Sequence, residues 1–526
     1  MSAPDEPTAT TPGRHAPAER RDKGLKPDAI GFWDGLAIGL DSTAPAYSLA
    51  AVLGSIVVIV GVKAPAVLLV SFVPMLLIAG AFSYMNRADQ DCGTTFSWVT
   101  RAMGPWVGWM GGWAIFTTGV LVIGAQADVS AYYLLDIVGL DDLRDTRWIV
   151  VALAVVIIVV MTLICVLGTE LSAAVQRVMV LVQVGAVLLF AGLGIAAMAS
   201  GDVAADAPTF SLDWLNPVGV EPSGLIAGML LGVFIYWGWE SAVNLSEESK
   251  DSSTSPGLAG IVSTVLLLVT YVTTAIAIIG VAGLSTVEAY DDDAGLFGAV
   301  ASQVMGPFGW ILVLSIIVSG LASTQTTILP ASRTSLSMAV AGAFPKAFAK
   351  VHERFETPAF GTWVIGIVAI VWYVGASIVS ENFLFDSLTA LSIVVAFYYA
   401  LTGIACVVYW RHALTRSVRG FLLVGLGPAV GAVTLLVLLV AAVIEQADPE
   451  ASYSGTPILG VGAPLAIAIA LFLAGIVLMV LWYLGEGRAF FSRRGGESVS
   501  QEVATAALGP IELAHPAASV DADSTS

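Results

Sequence analysis

Long segments without a charged residue most constrain how this chain can fold. Residues 150–166 and 463–483 contain no Asp, Glu, Lys or Arg, and about 20 apolar residues in a helix cross the ~30 Å hydrocarbon core of a bilayer. Charged residues make up 12% of the 526-residue chain, about half the fraction typical of soluble domains. The sequence therefore predicts an all-α, multi-pass integral membrane protein.

The charge balance and the small number of metal-binding side chains exclude several functional classes. The net charge is −18, whereas a nucleic-acid-binding surface needs clustered Lys and Arg. The three cysteines, Cys92, Cys165 and Cys406, show no metal-ligand spacing, and the four histidines complete no hydrolase motif. We therefore expect no metal, no cofactor, no nucleic-acid partner and no enzyme activity. The first 30 residues are polar and predict no secretory signal peptide.

Hydrophobic segments separated by Gly, Pro or charged residues predict twelve membrane-spanning helices, numbered here as spans 1–12. Residues 31–410, with spans 1–10, are predicted to form one core, and residues 411–486 add spans 11 and 12. Residues 1–30 and 487–526 lack hydrophobic periodicity and are predicted to be disordered tails. The predicted span ranges are 31–61, 64–86, 104–135, 147–167, 171–200, 222–246, 257–284, 297–340, 360–380, 383–410, 420–444 and 457–485.

The distribution of Lys and Arg predicts how these spans are oriented. Lys63, Arg144 and Arg147 lie on one side, whereas the other 19 of the 22 Lys and Arg residues lie on the opposite side, which also holds both tails. Cytoplasmic segments of membrane proteins are enriched in Lys and Arg. Both termini are therefore predicted to be cytoplasmic. The richness in Gly and Ala is typical of a high-GC bacterial source, which indicates a bacterial plasma membrane.

Spans 1 and 6 contain residues that interrupt a membrane helix. Span 1 reads Gly-Leu-Asp-Ser-Thr-Ala-Pro-Ala-Tyr over 39–47, and span 6 reads Gly-Val-Phe-Ile-Tyr-Trp-Gly-Trp-Glu over 232–240. Irregular backbone inside a bilayer is tolerated where it lines a cavity, although Pro45 alone is also compatible with a simple kink. The breaks lie five spans apart, so spans 1–5 and 6–10 are predicted to be inverted repeats. Paired broken helices indicate a transporter binding site.

Acidic residues within the spans are candidates for substrate or ion binding, because a carboxyl group inside a bilayer is costly. Asp41 has four open roles: it binds a substrate amine, holds a coupling cation, carries a proton, or caps the second half-helix. Asp128 in span 3 either faces the pathway or reaches the outer interface. Glu240 is either a coupling or gating residue or the partner of a basic group near the cytoplasmic mouth.

Aromatic and hydroxyl side chains near the breaks are further candidates. Phe234 and Tyr236 in span 6 either gate a pocket and hold an ammonium group by cation–π contact, or they serve packing and the membrane interface. Span 8 is rich in Ser and Thr, and small hydroxyl residues commonly let membrane helices pack closely.

Three segments resemble the amino acid–polyamine–organocation (APC) family of transporters, and the resemblance covers roughly residues 30–445. Residues 92–113, beginning Cys-Gly-Thr-Thr-Phe-Ser-Trp, resemble the family's loop into span 3. Residues 239–249, Trp-Glu-Ser-Ala-Val-Asn-Leu-Ser-Glu-Glu-Ser, resemble its exit from span 6, and residues 331–358 resemble its exit from span 8 and the next loop. The resemblance implies the leucine-transporter-type fold, a 5+5 inverted repeat with two extra C-terminal helices.

The resemblance also implies roles for individual residues. Glu240 matches an acidic position with a proton-linked or gating role, and Phe234 matches an aromatic residue that covers the substrate. In sodium-coupled relatives, span-8 hydroxyls meet span-1 carbonyls at a cation site. The lysine of span 5 that replaces this ion in some proton-coupled relatives is absent here, and Asp41 stands where the family commonly has a Gly-Ser-Gly-like run. The predicted substrate-binding residues are Asp41, Ser42, Thr43, Tyr47, Asp128, Phe234, Tyr236 and Gly238, and the predicted coupling or gating residues are Glu240, Ser319, Ser323 and Thr324.

These features together predict a secondary active transporter that imports an amino acid or a related small amine by alternating access. A proton is preferred over sodium as the coupling ion, because two acids adjoin the breaks. The alternative is an inorganic cation transporter, for example for potassium, which Asp41 and Tyr47 suggest through their resemblance to potassium-importing relatives.

Overall fold

The computed structural model describes residues 23–289, 296–379, 382–452, 454–455 and 457–508. These residues form helices and no β-strand, and eleven helical segments are long and apolar enough to cross a membrane. The prediction of an all-α, multi-pass membrane protein is therefore confirmed. The α-helices are α1 Phe32–Thr43, α2 Pro45–Val60, α3 Ala64–Ala88, α4 Thr95–Met103, α5 Pro105–Ile137, α6 Asp141–Arg144, α7 Arg147–Leu167, α8 Thr169–Ser200, α9 Pro222–Ile235, α10 Ser255–Ala282, α11 Leu284–Ala289, α12 Leu296–Met305, α13 Trp310–Val340, α14 Ala359–Val379, α15 Asn382–Tyr409, α16 Val418–Gly420, α17 Gly427–Glu445, α18 Ala463–Leu484, α19 Arg488–Phe491 and α20 Gln501–Leu508. The 3₁₀-helices are Gly61–Lys63, Leu212–Leu215, Trp239–Glu248, Gly306–Phe308, Lys346–Ala349 and Pro449–Ala451, and Phe421–Leu426 is a π-helix.

The first of the eleven apolar segments, Phe32–Ala88, is 57 residues long and contains α1, α2 and α3. The 3₁₀-helix Gly61–Lys63 separates α2 from α3. The other ten segments match predicted spans 3–12 in order. Several helices begin with a proline in the first turn, as in α2, α5 and α9, because proline lacks the N–H group that a first turn leaves unbonded anyway.

Predicted span 8 is too long at its N-terminal end. The structure divides residues 297–340 into α12, the 3₁₀-helix Gly306–Phe308 and α13. Gly306 has a φ of 55°, which a right-handed helix does not allow, and Pro307 has no N–H group to continue the helix. The membrane helix of this region therefore begins at Trp310.

Helix α13 lies at the centre of the bundle. Every residue from Ala322 to Ala339 is buried, and α13 packs against α1, α2, α5, α7, α8 and α14. By contrast, α18 leaves Leu473, Val477 and Leu481 exposed, as suits a helix that faces lipid. The small hydroxyl residues of α13 are thus inside the protein, where they reach neighbouring helices.

Parts of both predicted tails are ordered in the structure. The Lys23 side chain, before α1, is only 6% exposed, and the Val499 N–H donates to the Tyr409 carbonyl after α19, at 3.0 Å. The prediction of disordered tails is therefore wrong for residues 23–30 and 487–508. These segments are held by isolated hydrogen bonds and single side chains, which leave no hydrophobic period in the sequence. The remaining parts of the predicted tails, residues 1–22 and 509–526, lie outside the described residues.

Candidate functional site

The break in span 1 is a single residue between two helices. Helix α1 ends at Thr43 and α2 begins at Pro45, with Ala44 between them in the left-handed conformation at φ 50° and ψ 59°. Left-handed backbone is unfavourable for a residue with a Cβ, by about 1–2 kcal/mol. The Ala44 carbonyl still accepts from the Ser48 N–H at 2.7 Å. The sequence prediction of a break beside Pro45 is confirmed.

The break in span 6 occurs at Gly238. Helix α9 ends at Ile235, whose carbonyl accepts from the Tyr271 hydroxyl at 2.6 Å. Gly238 then has a φ of 122°, which favours glycine, and the chain continues as the 3₁₀-helix Trp239–Glu248. The break therefore coincides with the predicted position, but the second half is a 3₁₀-helix with a kink at Leu245.

The two breaks touch each other at the level of the backbone. A Cβ atom at Gly238 would lie 2.7 Å from the Ser42 carbonyl oxygen, a distance that side chains do not tolerate. The Ser42 and Ser241 hydroxyls are hydrogen-bonded at 2.7 Å. The half-helices of spans 1 and 6 thus meet in the buried interior.

Helix α13 contributes two of its predicted hydroxyls to this meeting point. Ser319 Oγ accepts from the Tyr47 N–H at 3.2 Å, and Ser323 Oγ donates to the Ser42 carbonyl at 2.9 Å. Thr324 instead donates to the Gly320 carbonyl of its own helix at 2.8 Å. The structure therefore brings Ser319 and Ser323 to the span-1 break, whereas the Thr324 hydroxyl bonds within α13.

Asp41 is fully buried and faces α8. Its Oδ1 accepts a hydrogen bond from the Gln183 side-chain amide, and its Oδ2 has no hydrogen-bond partner among the described residues. At the N-terminus of α2, the Tyr47 N–H donates to Ser319 of α13, and neither oxygen of Asp41 accepts from α2. The structure therefore rules out the capping role for Asp41, and the other three roles stay open.

Glu240 lies in a ring of hydrogen-bond donors. Its carboxylate accepts from the hydroxyls of Tyr398 and Tyr399 on α15 and from the Gly238 N–H at 3.2 Å. No Lys or Arg forms an ion pair with it in the described part of the chain. The expected alternative, a basic partner near the cytoplasmic mouth, is therefore wrong, because tyrosine hydroxyls hold this carboxylate.

Asp128 bonds to residues of α7 and α14, and its charge also acts on Tyr47 beside the span-1 break. Its carboxylate pairs with Arg147 at 2.6 Å and accepts from the Tyr373 hydroxyl. Gln126, two residues earlier, reaches the centre instead, where its Nε2 donates to Ser323 Oγ at 2.6 Å. The ion pair with Arg147 favours the outer-interface role for Asp128 over contact with the pathway.

A cavity leads toward the breaks from the far end of α2. It lies between α2, α9, α15 and α17, has a volume of about 990 Å³ with its open mouth included, and is lined by Ser55, Phe234 and Ser392 among other residues. The Tyr236 ring lies deeper, packed edge-on against Tyr271 with the ring centres 5.1 Å apart. Phe234 thus lines the cavity, and its role in covering a substrate stays a prediction.

The opposite end of the bundle carries a charged cluster that sequence reasoning missed, and this cluster lines a second cavity of about 1330 Å³ with its open mouth included. The Lys23 ammonium lies 2.8 Å from Asp91 and 2.6 Å from Glu247, and 3.4 Å from the Cys92 sulfur. Asp91, Cys92 and Glu247 have the ligand types of a cation site, and Lys23 supplies the positive charge there. Burial alone would raise the pKa of Asp91, but Lys23 and Arg101 outweigh it and hold that pKa below its usual range.

A second buried ion pair lies beside this cluster. The Arg333 guanidinium donates to both carboxylate oxygens of Glu248, with Nε–Oε2 and Nη2–Oε1 distances of 3.0 Å. Both side chains are 0% exposed, and Arg333 also donates to the Thr169 hydroxyl at 3.0 Å. The pair joins α13 to the end of the span-6 segment and to the start of α8.

The partners of the predicted acids are the main residues that the sequence did not indicate. Gln183 on α8 holds Asp41, and Tyr398 and Tyr399 on α15 hold Glu240. An isolated glutamine or tyrosine in an apolar helix carries no motif. Only the packing of helices that are distant in the chain shows that these residues contact the acids.

The described residues thus form a multi-pass helical membrane protein in which two interrupted helices meet at a polar, buried centre. A family model described as amino acid permease matches residues 38–463, which is most of the chain. The chain therefore belongs to the amino acid permease family, within the APC superfamily that its sequence resembles.

Individual relatives are similar over parts of their length. A branched-chain amino acid permease of Lactococcus lactis is 25% identical over 330 residues, covering 57% of this chain and 66% of the relative. A mitochondrial cationic amino acid transporter of Arabidopsis thaliana is 23% identical, covering 58% and 50%. A methylthioribose transporter of Bacillus subtilis is 29% identical, covering 41% and 44%. The matches thus span about half to two thirds of these relatives.

Proposed function

We propose that the protein is a secondary active transporter that imports an amino acid or a related small amine across a bacterial plasma membrane by alternating access. The observation that carries this proposal is the backbone contact between the two helix breaks at Ser42 and Gly238. Half-helices that meet inside a membrane present N–H and C=O groups to a ligand and can move relative to each other. Relatives named for branched-chain and cationic amino acids support this class of substrate.

The proposed architecture has twelve crossings. If the 57 residues of Phe32–Ala88 formed one continuous helix, it would be about 85 Å long, far more than the ~30 Å hydrocarbon core. We therefore assign one crossing to α1 and α2 and another to α3, with the turn at Gly61–Lys63. Spans 1–5 and 6–10 form the inverted repeats, spans 11 and 12 are added at the C-terminal end, and both termini are cytoplasmic.

The proposed substrate site lies between the breaks and the cavity. Ser42, Thr43 and Tyr47 flank the first break, and Gly238 forms the second. Phe234 and Tyr236 close over the substrate from the cavity side, and their rings attract an ammonium group. The cavity supplies the path to this site from the far end of α2.

The proposed coupling ion is a proton. Asp41 and Glu240 are buried acids, one beside each break, and protonation of such an acid can be linked to movement of a half-helix. The candidate sodium ligands are already engaged, because Ser319 binds the Tyr47 N–H and Ser323 binds the Ser42 carbonyl. Glu240 is the proposed gating residue, since it ties the span-6 break to α15 through Tyr398 and Tyr399.

Counterflow in proteoliposomes tests the proposed function without any assumption about the driving ion. Vesicles loaded with one unlabelled amino acid or amine at a time should accumulate the labelled form of the true substrate. Gly238→Ala should reduce counterflow at least tenfold, because its Cβ would lie 2.7 Å from the Ser42 carbonyl. Gly375→Ala on α14 is the matched control, since nothing lies within 4 Å of a Cβ there. Rubidium uptake without counterflow of any amino acid or amine would contradict the proposal and favour potassium transport.

A further inference from the structure

The two acids beside the breaks have opposite hydrogen-bond environments. The Glu240 carboxylate accepts from two tyrosine hydroxyls and one backbone N–H group. Asp41 accepts from one donor, the amide of Gln183, and its second oxygen has no partner among the described residues. Both side chains are buried, Asp41 completely. Three donors therefore favour the carboxylate form of Glu240, whereas Asp41 has one such donor.

No basic side chain compensates a negative charge on Asp41. Helix α1 packs against α2, α8, α10, α13 and the 3₁₀-helix Trp239–Glu248. Within the described chain, none of the titratable groups on these elements pairs with Asp41. Those groups are Tyr47 on α2, Glu170 and Arg177 on α8, Tyr271 on α10, Arg333 on α13, Glu240, Glu247 and Glu248 on the 3₁₀-helix, and Asp34 on α1 itself.

The charged members of that set are engaged elsewhere. Arg177 pairs with Asp34 and Arg333 with Glu248. An isolated carboxylate in a low-dielectric interior takes up a proton in preference to remaining charged. This environment therefore favours the neutral carboxylic acid form of Asp41 in the conformation described here.

Gln183 is suited to both protonation states of this acid. Its amide nitrogen donates to Asp41, and its own oxygen, Oε1, has no partner among the described residues. An amide offers donors to a carboxylate and an acceptor to a carboxylic acid. Because the carbonyl oxygen of the neutral acid also accepts an N–H, Gln183 can stay bonded to Asp41 in both protonation states.

We propose that Asp41 carries the transported proton and that Gln183 is its positioning residue; this inference rests on the proposed function. Asp41 lies on the half-helix α1, whose end at Ala44 is a hinge, and Gln183 lies on the neighbouring α8. Tilting of α1 away from α8 separates the pair and brings water to the carboxyl group, which then releases its proton. Return of α1 requires Asp41 to be protonated again.

Asp41→Asn separates proton transport from substrate exchange. In proteoliposomes, this variant should lose accumulation driven by a pH gradient, because the proton site is gone. Counterflow, which needs no net proton movement, should continue at a measurable rate, since Asn mimics the neutral acid. Loss of counterflow together with substrate binding would overturn the inference and assign Asp41 to the substrate amine. Retained gradient-driven accumulation in Asp41→Asn would overturn the inference as well. The same holds if Glu240→Gln loses proton coupling while Asp41→Asn keeps it.

Gln183→Leu tests the positioning role through the pH profile. Removing the amide N–H that favours the carboxylate should move the midpoint of the pH dependence of uptake to higher pH, by about one pH unit. Gln176→Leu is the matched control on the same helix, because the Gln176 amide bonds to Gln325 on α13. An unchanged profile in Gln183→Leu, or an equal shift in Gln176→Leu, would overturn this role.

Infrared difference spectroscopy of the purified protein gives a measurement that needs no substrate. The carbonyl band of a protonated carboxylic acid should be present in the wild type at neutral pH and diminished in Asp41→Asn. If the wild type shows no counterflow but this band behaves as expected, the proposed substrate class fails while the protonation of Asp41 stands. If counterflow occurs and the band is unaffected by Asp41→Asn, the inference about the proton site fails alone.

Discussion

Replacing Glu248 by glutamine should destabilise the protein strongly, because it leaves the Arg333 guanidinium buried without a counter-charge. Arg333 and Glu248 are both 0% exposed and share two hydrogen bonds of 3.0 Å. Breaking one side of such a buried pair costs about 3–5 kcal/mol, whereas replacing both partners by apolar residues is often neutral. We therefore expect Glu248→Gln to lower the melting temperature in detergent clearly, and the double variant Glu248→Leu/Arg333→Leu to recover most of the loss.

The matched control is an exposed ion pair at the same end of the protein. Lys346 and Glu486 lie 3.6 Å apart with side chains 88% and 66% exposed, and exposed pairs contribute little. Glu486→Gln should therefore leave the melting temperature unchanged. The reasoning would be refuted if the double variant were as unstable as Glu248→Gln, since the loss would then come from packing and not from an unpaired charge.

Three further predictions concern the charged end of the bundle. Burial raises the pKa of Asp89 to about 6 despite the pairing with Arg101. The folded protein therefore binds this proton more tightly than the unfolded chain does. The stability that Asp89 contributes is present below about pH 4 and is lost as the pH rises through about 6. The difference in melting temperature between wild type and Asp89→Asn should therefore change across that range, and a constant difference would contradict the assignment. Lys23→Met leaves Asp91 and Glu247 without their shared ammonium group. A cysteine introduced at position 337 should then react faster with a soluble thiol reagent than the same cysteine does when Lys23 is present. Equal rates would show that Lys23 does not hold this end closed. Truncation after residue 486 removes Val499 with its bond to Tyr409 and should lower the melting temperature; an unchanged melting temperature would show that this segment does not stabilise the fold.

The helix breaks were predictable from sequence because their chemistry is local. Proline lacks an N–H group in any helix, so Pro45 marks a break by itself. Gly238 follows three large side chains at the end of an apolar run. Both positions can therefore be recognised from the sequence. The division of span 8 at Gly306 depends on the same two residue types, but the apolar run continues across it. The continuous apolar run was given more weight than the Gly-Pro turn signal at this position, and the predicted span was therefore too long.

The partners of the buried acids were not predictable, because they depend on which helices become neighbours. Gln183 is 142 positions from Asp41, and Tyr398 is 158 positions from Glu240. Nothing near any of these residues in the chain specifies the pairing. The same reason explains why the ordered C-terminal segment was missed, since Val499 depends on Tyr409 in another part of the chain.

The uneven closure of the two ends has a consequence for how binding would be measured. The cavity beside Phe234 leads in from one end, whereas the cavity at the other end stops at the ion pairs of Lys23, next to the fully buried Arg333–Glu248 pair. A ligand that arrives at the closed end binds only the fraction of molecules that have opened, and its apparent Kd is its intrinsic Kd divided by that fraction. With about 1% of molecules open, that end would show an affinity about one hundred times weaker for the same binding site. Right-side-out and inside-out vesicles would then report different affinities for one and the same substrate.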